Sequence, residues 1–139
     1  ELETHAARAL AARSRGTPRV VNRFVRRARD LAQLAGAARI EAPTALDALQ
    51  RMGVDQNGLE ELDRRILACL ARAGARAVGL KTIAAAVGEA EDTIEDVFEP
   101  HLLRCGFLER TSRGRMITAS GCAAIGLPAP TNSSGPTLF

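Results

Sequence analysis

Residues 78–118 read VGLKTIAAAVGEAEDTIEDVFEPHLLRCGFLERTSRGRMIT, and the periodicity changes along that stretch. Residues 80–87 (LKTIAAAV) form a short helix, stopped by Gly88. Asp92 followed by Glu95 has the spacing of a capping box, which opens a second helix running to about Arg104. On that helix Ile94, Val97, Phe98, His101, Leu102 and Cys105 share one face, and Pro100 removes a backbone bond and bends it. After Gly106 come two strand candidates, 107–111 and 115–118, joined by a tight turn at Ser112-Arg113-Gly114.

Working outward toward the N-terminus, a helix runs over about 59–72, with Leu59, Leu62, Ile66, Cys69 and Leu70 inward. Three helices followed by a β-hairpin is the element order of a winged-helix domain. Upstream, the polar turn Asp55-Gln56-Asn57-Gly58 marks a module boundary. Residues 1–54 hold three or four short helices. One spans 2–13, and one starts at Thr17-Pro18 with a stripe of Val21, Phe24, Ala28, Leu31 and Ala35. After Gly36, Ile40 leads in extended form toward Pro43. A third helix then carries Ala45, Leu46, Leu49 and Met52 on one side and stops at Gly53. The expected fold is mainly α: a small helical domain over 1–55, a winged helix over 58–127 and a disordered tail over 128–139.

Composition agrees with helix. The 139 residues are 46% hydrophobic and 3% aromatic, with neither Trp nor Tyr, which favours helix over sheet and excludes a disordered chain. No apolar run approaches the ~18 residues that span a bilayer. No signal-peptide pattern opens the chain, which starts at Glu1 without Met and reads as part of something longer. Three widely spaced cysteines, Cys69, Cys105 and Cys122, suggest a reducing compartment, hence a soluble intracellular protein.

Charge is segregated. Residues 1–56 carry 10 Arg against 6 acids, and residues 8–29 hold eight Arg with no acid. Residues 57–139 carry 9 basic against 10 acidic residues, and six of the acids fall between Glu89 and Glu99. GC-rich coding also enriches Arg, so abundance alone is not a function; placement is more telling. Arg15-Gly16-Thr17-Pro18-Arg19 sets two arginines around a helix N-terminus, where the macrodipole favours an anion; a solvated basic helix start is the other reading. Arg110, Arg113 and Arg115 sit on the hairpin, either touching nucleic acid or forming a solvated turn. Because Asp92, Glu95, Asp96 and Glu99 make the neighbouring helix acidic, the hairpin rather than that helix is expected to face DNA.

Other patterns carry less. Gly79-Leu80-Lys81-Thr82 resembles a phosphate-binding loop, but Leu80 separates Gly from Lys, so it reads as the start of a helix. His101 and Cys105 are one turn apart, too few for a metal site, so no metal site is assigned. No Ser, His and Asp set suggests nucleophilic catalysis, and no catalytic residue is assigned.

With these motifs in this order, the chain resembles the C-terminal part of the RuvB family, hexameric AAA+ motors that drive branch migration of Holliday junctions in bacteria. The resemblance lies in RSRGTPRVVNRFVRRARD (13–30), GLEELDRRILACL (58–70), residues 78–118 and AAIGL (123–127). It implies an AAA+ lid over 1–55 and a DNA-binding winged-helix head over 58–127. Matching the Gly-Thr-Pro-Arg motif makes Arg19 the sensor-2 arginine near the nucleotide phosphates, with Pro18 beside it. Matching the wing makes Arg110 and Arg115 contacts to the DNA backbone, with Arg113 a third. The implied cofactor is ATP with Mg2+, held mainly by a large ATPase domain that these residues do not include. The implied partners are double-stranded DNA at Holliday junctions, RuvA, RuvC and five further copies in a homohexamer. The implied setting is the bacterial cytoplasm, with DNA recombination, repair and the SOS response. Taken alone, the chain is expected to hydrolyse no ATP. The resemblance breaks at Glu91, where members often carry Arg, and at His101, where many carry Tyr. A free-standing winged-helix transcription regulator or interaction adaptor is the alternative; it would leave the Arg19 motif without a purpose.

Overall fold

The computed structural model describes residues 1–130, so most of the expected tail lies outside the described residues. The chain forms two compact units, one of Glu1–Glu61 and one from Leu62 onward. Among the described residues the architecture is mainly helical with one two-stranded sheet.

In the first unit, α1 (Thr4–Ala12), α2 (Pro18–Leu34) and α3 (Ala42–Arg51) enclose a core. Leu10, Phe24, Ala28, Ala32, Ile40 and Leu49 are its buried centre. The α2 stripe therefore runs Phe24, Ala28, Ala32 at steps of four, and Ala35 falls outside it on the exposed surface. On α3, Ala48 takes the inward place expected of Leu46, which is 44% exposed. Small side chains at these places let the helices approach closely. Thr17 precedes α2 as expected, but its hydroxyl donates back to the Arg15 carbonyl (3.5 Å) and does not cap the helix. Ile40 is extended, as expected, and pairs with Leu2 in a parallel bridge.

The polar turn at residues 55–58 is stapled down. The Asp55 carboxylate accepts from the Asn57 and Leu59 N–H groups (2.8 and 3.0 Å), and Leu59 is fully buried. The division into compact units accordingly falls three residues past this turn, at Glu61.

The second unit runs α4 (Glu61–Ala73), α5 (Leu80–Val87), a short α6 (Glu91–Thr93), a π-helical turn (Ile94–Phe98), α7 (Glu99–Arg104), β1 (Leu108–Thr111), β2 (Gly114–Ile117) and α8 (Ala119–Ala124). The capping box does not form, because Ala90 occupies the N-cap. Pro100 acts through the π turn just before it. A proline cannot donate to the preceding turn, and the wider turn absorbs the missing bond. One added residue rotates the following face by about 100°. Val97, expected inward, is 56% exposed, while Glu99, outside the expected inward face, is 1% exposed.

The hairpin pairs antiparallel, with Arg110 opposite Arg115 and Thr111 opposite Gly114, around a two-residue turn at Ser112-Arg113. Val78 adds a third edge: its N–H donates to the Arg115 carbonyl (2.8 Å), and the Arg115 N–H donates to its carbonyl (2.7 Å). Gly114 makes that approach possible. Its φ of +141° suits glycine, and a Cβ there would collide with the Val78 carbonyl.

Candidate nucleic-acid interface

Two arginines directly opposite on an antiparallel pair repel each other unless a counter-charge intervenes. Glu99 supplies it. One carboxylate oxygen accepts from Arg110 Nε and from Arg115 Nη2 (3.3 Å), and the other accepts from Arg115 Nε (3.1 Å). Glu95 stands further out, 4.0 Å from Arg110 and 3.8 Å from Arg115. Hydrogen bonding and charge from Glu99 push the Arg110 guanidinium above its ordinary pKa, so it remains a cation at any working pH. The two arginines are not equivalent: the Arg115 side chain is 16% exposed and that of Arg110 is 50% exposed. Arg110 bonds Glu99 through Nε alone, and its Nη2 lies 4.0 Å from Glu95; Arg115 spends two nitrogens on the Glu99 carboxylate.

Arg113 stands exposed at the turn. Its N–H donates to the Thr111 hydroxyl (3.2 Å), which itself donates to the Gly114 carbonyl (2.9 Å), so the turn backbone is pinned. The structure thus gathers Arg110, Arg113 and Arg115 on one short hairpin.

At the start of α2, Pro18 and Arg19 are exposed, and Arg19 has no ion-pair partner among the described residues. Arg15, the other arginine of that motif, is withdrawn. Its backbone is left-handed (φ 63°), its side chain is 7% exposed, and it donates to the Gly58 carbonyl (3.3 Å) and the Glu60 carboxylate (3.4 Å). Arg23 donates to the other Glu60 oxygen (2.8 Å). An anion at this helix start would therefore meet Arg19 rather than an arginine pair. His101 and Cys105 approach with Sγ 3.6 Å from Nε2, and no group of three or more His, Cys, Asp or Glu side chains is arranged for a metal among the described residues. Among those residues no helix is long and apolar enough to cross a membrane.

Residue composition alone missed Glu99. The signal was present in two places: a proline following it within a helix, and two arginines in facing positions that require a shared counter-ion.

Comparison with known proteins defines the class first. Residues 1–55 match the family model described as the RuvB AAA lid domain, and residues 56–126 match the RuvB C-terminal winged helix domain. A AAA lid followed by a winged helix is the make-up of this chain, and the chain belongs to the RuvB family. It is 54% identical over 118 residues to the Holliday junction branch migration complex subunit RuvB of Myxococcus xanthus, covering 84% of this chain and 34% of that protein. The Thermotoga maritima RuvB Holliday junction branch migration motor superposes with a TM-score of 0.89 at 39% identity, over 94% of this chain and 44% of that one. A variant of the same Thermotoga maritima protein gives a TM-score of 0.88 at the same identity and coverage. The chain therefore spans between a third and a half of the relatives it matches.

Proposed function

We propose that this chain is the lid and DNA-binding head of an ATP-driven motor that branch-migrates Holliday junctions in DNA recombination and repair. The observation that carries the reading is the succession of the two RuvB domains, the second bearing three arginines on a pinned two-residue hairpin. On this reading the lid spans 1–55 and the head 58–127. Arg110 and Arg115 bind the DNA backbone and Arg113 adds a third contact. Guanidinium groups suit phosphate, and the hairpin has no Asn or Gln to read base edges, so binding is by charge and not by sequence.

Arg19, exposed and cationic at a helix N-terminus, fits the negative charge of a nucleotide phosphate and serves as the sensor-2 arginine, with Pro18 fixing its approach. The nucleotide is ATP with Mg2+, held mainly by the large ATPase domain, and it supplies the phosphoryl transfer that powers the motor. In this chain Gly79 is the N-cap of α5 and Lys81 lies in its first turn, so no phosphate loop forms there. The chain by itself is inactive as an ATPase. The whole motor is a bacterial cytoplasmic homohexamer working with RuvA and RuvC.

The test is a salt titration of duplex binding. Three phosphate contacts give a slope of log affinity against log salt near −2.7, and Arg110→Ala or Arg113→Ala each shallows it by about 0.9 on unrelated duplexes alike. A strong preference for one duplex sequence would instead favour a transcription regulator.

A further inference from the structure

The two faces of the hairpin differ in charge balance. On one, Arg110 and Arg115 face the carboxylates of Glu95 and Glu99, two charges against two. On the other, a cleft of about 480 Å3 is lined by Thr111, Ser112, Arg113 and Met116 from the hairpin and by Arg76 and Ala77 from the α4–α5 connection. No carboxylate lines that cleft. Arg76 and Arg113 are both exposed, and neither has an ion-pair partner among the described residues. Arg76 also borders an adjoining cleft of about 280 Å3, which holds Arg72 and Thr82 and again has no acid in its lining. The register sets Glu109 opposite Met116 on this same face, so two arginines there face one carboxylate that lies outside the cleft lining, and net positive charge remains on the side away from Glu99.

We propose that Arg76 and Arg113 together seat a phosphate of the duplex backbone in this cleft, making Arg76 a DNA-contact residue on the opposite face of the hairpin from Arg110 and Arg115. The inference rests on the reading of the hairpin as a DNA wing. Cations already neutralised by fixed carboxylates gain less from a phosphate than free ones do, so the unpaired side carries the stronger field toward an anion. The Thr111 bonds that pin the turn hold the Arg113 backbone in place, which lowers the entropy lost on contact. Arg76 enters from a separate segment of chain, so a phosphate in the cleft is gripped from two sides.

The experiment is fluorescence anisotropy of a labelled duplex of about 20 base pairs with the full chain, across about 50–200 mM salt. Arg76 is a fourth contact beside the three counted above, which moves the parental slope from near −2.7 to about −3.6. Arg76→Ala should shallow it by about 0.9, so that its affinity deficit widens roughly 3.5-fold from the highest salt to the lowest. Arg76→Lys keeps the charge and should keep the slope. Arg39→Ala removes an equal charge from the first unit and should leave the slope alone. If Arg76→Ala leaves it unchanged while Arg110→Ala and Arg113→Ala shallow it, the cleft is not a phosphate seat and the wing reading stands. If Arg39→Ala acts as strongly as Arg76→Ala, only overall charge matters and the cleft inference fails. A chain that binds no duplex at all overturns both.

Discussion

At the scale of single residues, Glu99 and Arg19 have the clearest consequences. Removing one partner of a buried ion pair leaves its mate desolvated and uncompensated. Glu99→Ala should therefore cost about 3 kcal/mol, most of it through Arg115. Glu99→Gln keeps the acceptor oxygen and should cost less. Because the chain has no Trp or Tyr, urea unfolding followed by far-UV circular dichroism is the suitable measurement. A midpoint unchanged in Glu99→Ala would show that the carboxylate does not hold the wing. Arg19 calls for the intact motor. A fixed cation aimed at developing phosphate charge is typically worth ~3–4 kcal/mol, so Arg19→Ala should slow ATP turnover by roughly 100–1000-fold. Turnover at the parental rate would remove Arg19 from the nucleotide.

At the scale of elements, the hairpin and the π turn depend on one another. The π turn brings Glu99 inward, Glu99 holds the two facing arginines, and Val78 fastens the second strand from its other edge. Gly114→Ala strikes at the last link, placing a methyl against the Val78 carbonyl at a φ that other residues rarely adopt. It should destabilise the winged-helix unit by about 2–3 kcal/mol and weaken duplex binding, although no charge is lost. Parallel melting and anisotropy measurements on the variant decide this; unaltered binding by a destabilised protein would mean that the wing need not be docked to reach DNA.

At the scale of the whole molecule, the end of the lid is set by contacts that reach past the polar turn. The family models meet between residues 55 and 56, whereas the compact units meet at Glu61. Residues 56–61 belong physically with the first unit, since Gly58 and Glu60 bond Arg15, and Glu60 also bonds Arg23. A fragment of residues 1–61 should therefore be more stable than one of residues 1–55. Losing the Glu60 partner of a nearly buried arginine costs about 2 kcal/mol, or roughly 8–16 °C in melting temperature for a fragment this small. Equal melting temperatures would place the functional boundary at the polar turn.

The sequence by itself determined most of the elements. Gly36, Gly53, Gly88 and Gly106 stop helices, Thr17-Pro18 starts one, and the hairpin turn lies where Ser112-Arg113-Gly114 puts it. These are local effects of backbone freedom and missing donors, readable over a few residues. The resemblance to RuvB was legible because its motifs are contiguous stretches of chain. Tertiary structure alone decided which charges are spent and which are free. In the sequence Glu99 is one of four acids on an acidic helix and Arg15 one of two arginines at a helix start, yet both side chains are withdrawn into ion pairs. Arg76 stands in no motif, and with Arg113 it lines a cleft whose lining holds no acid. The reason is that an ion pair depends on distance in space. Arg110 and Arg115 are 11 and 16 residues from Glu99, and a one-residue widening of a helix turn decided whether they would meet.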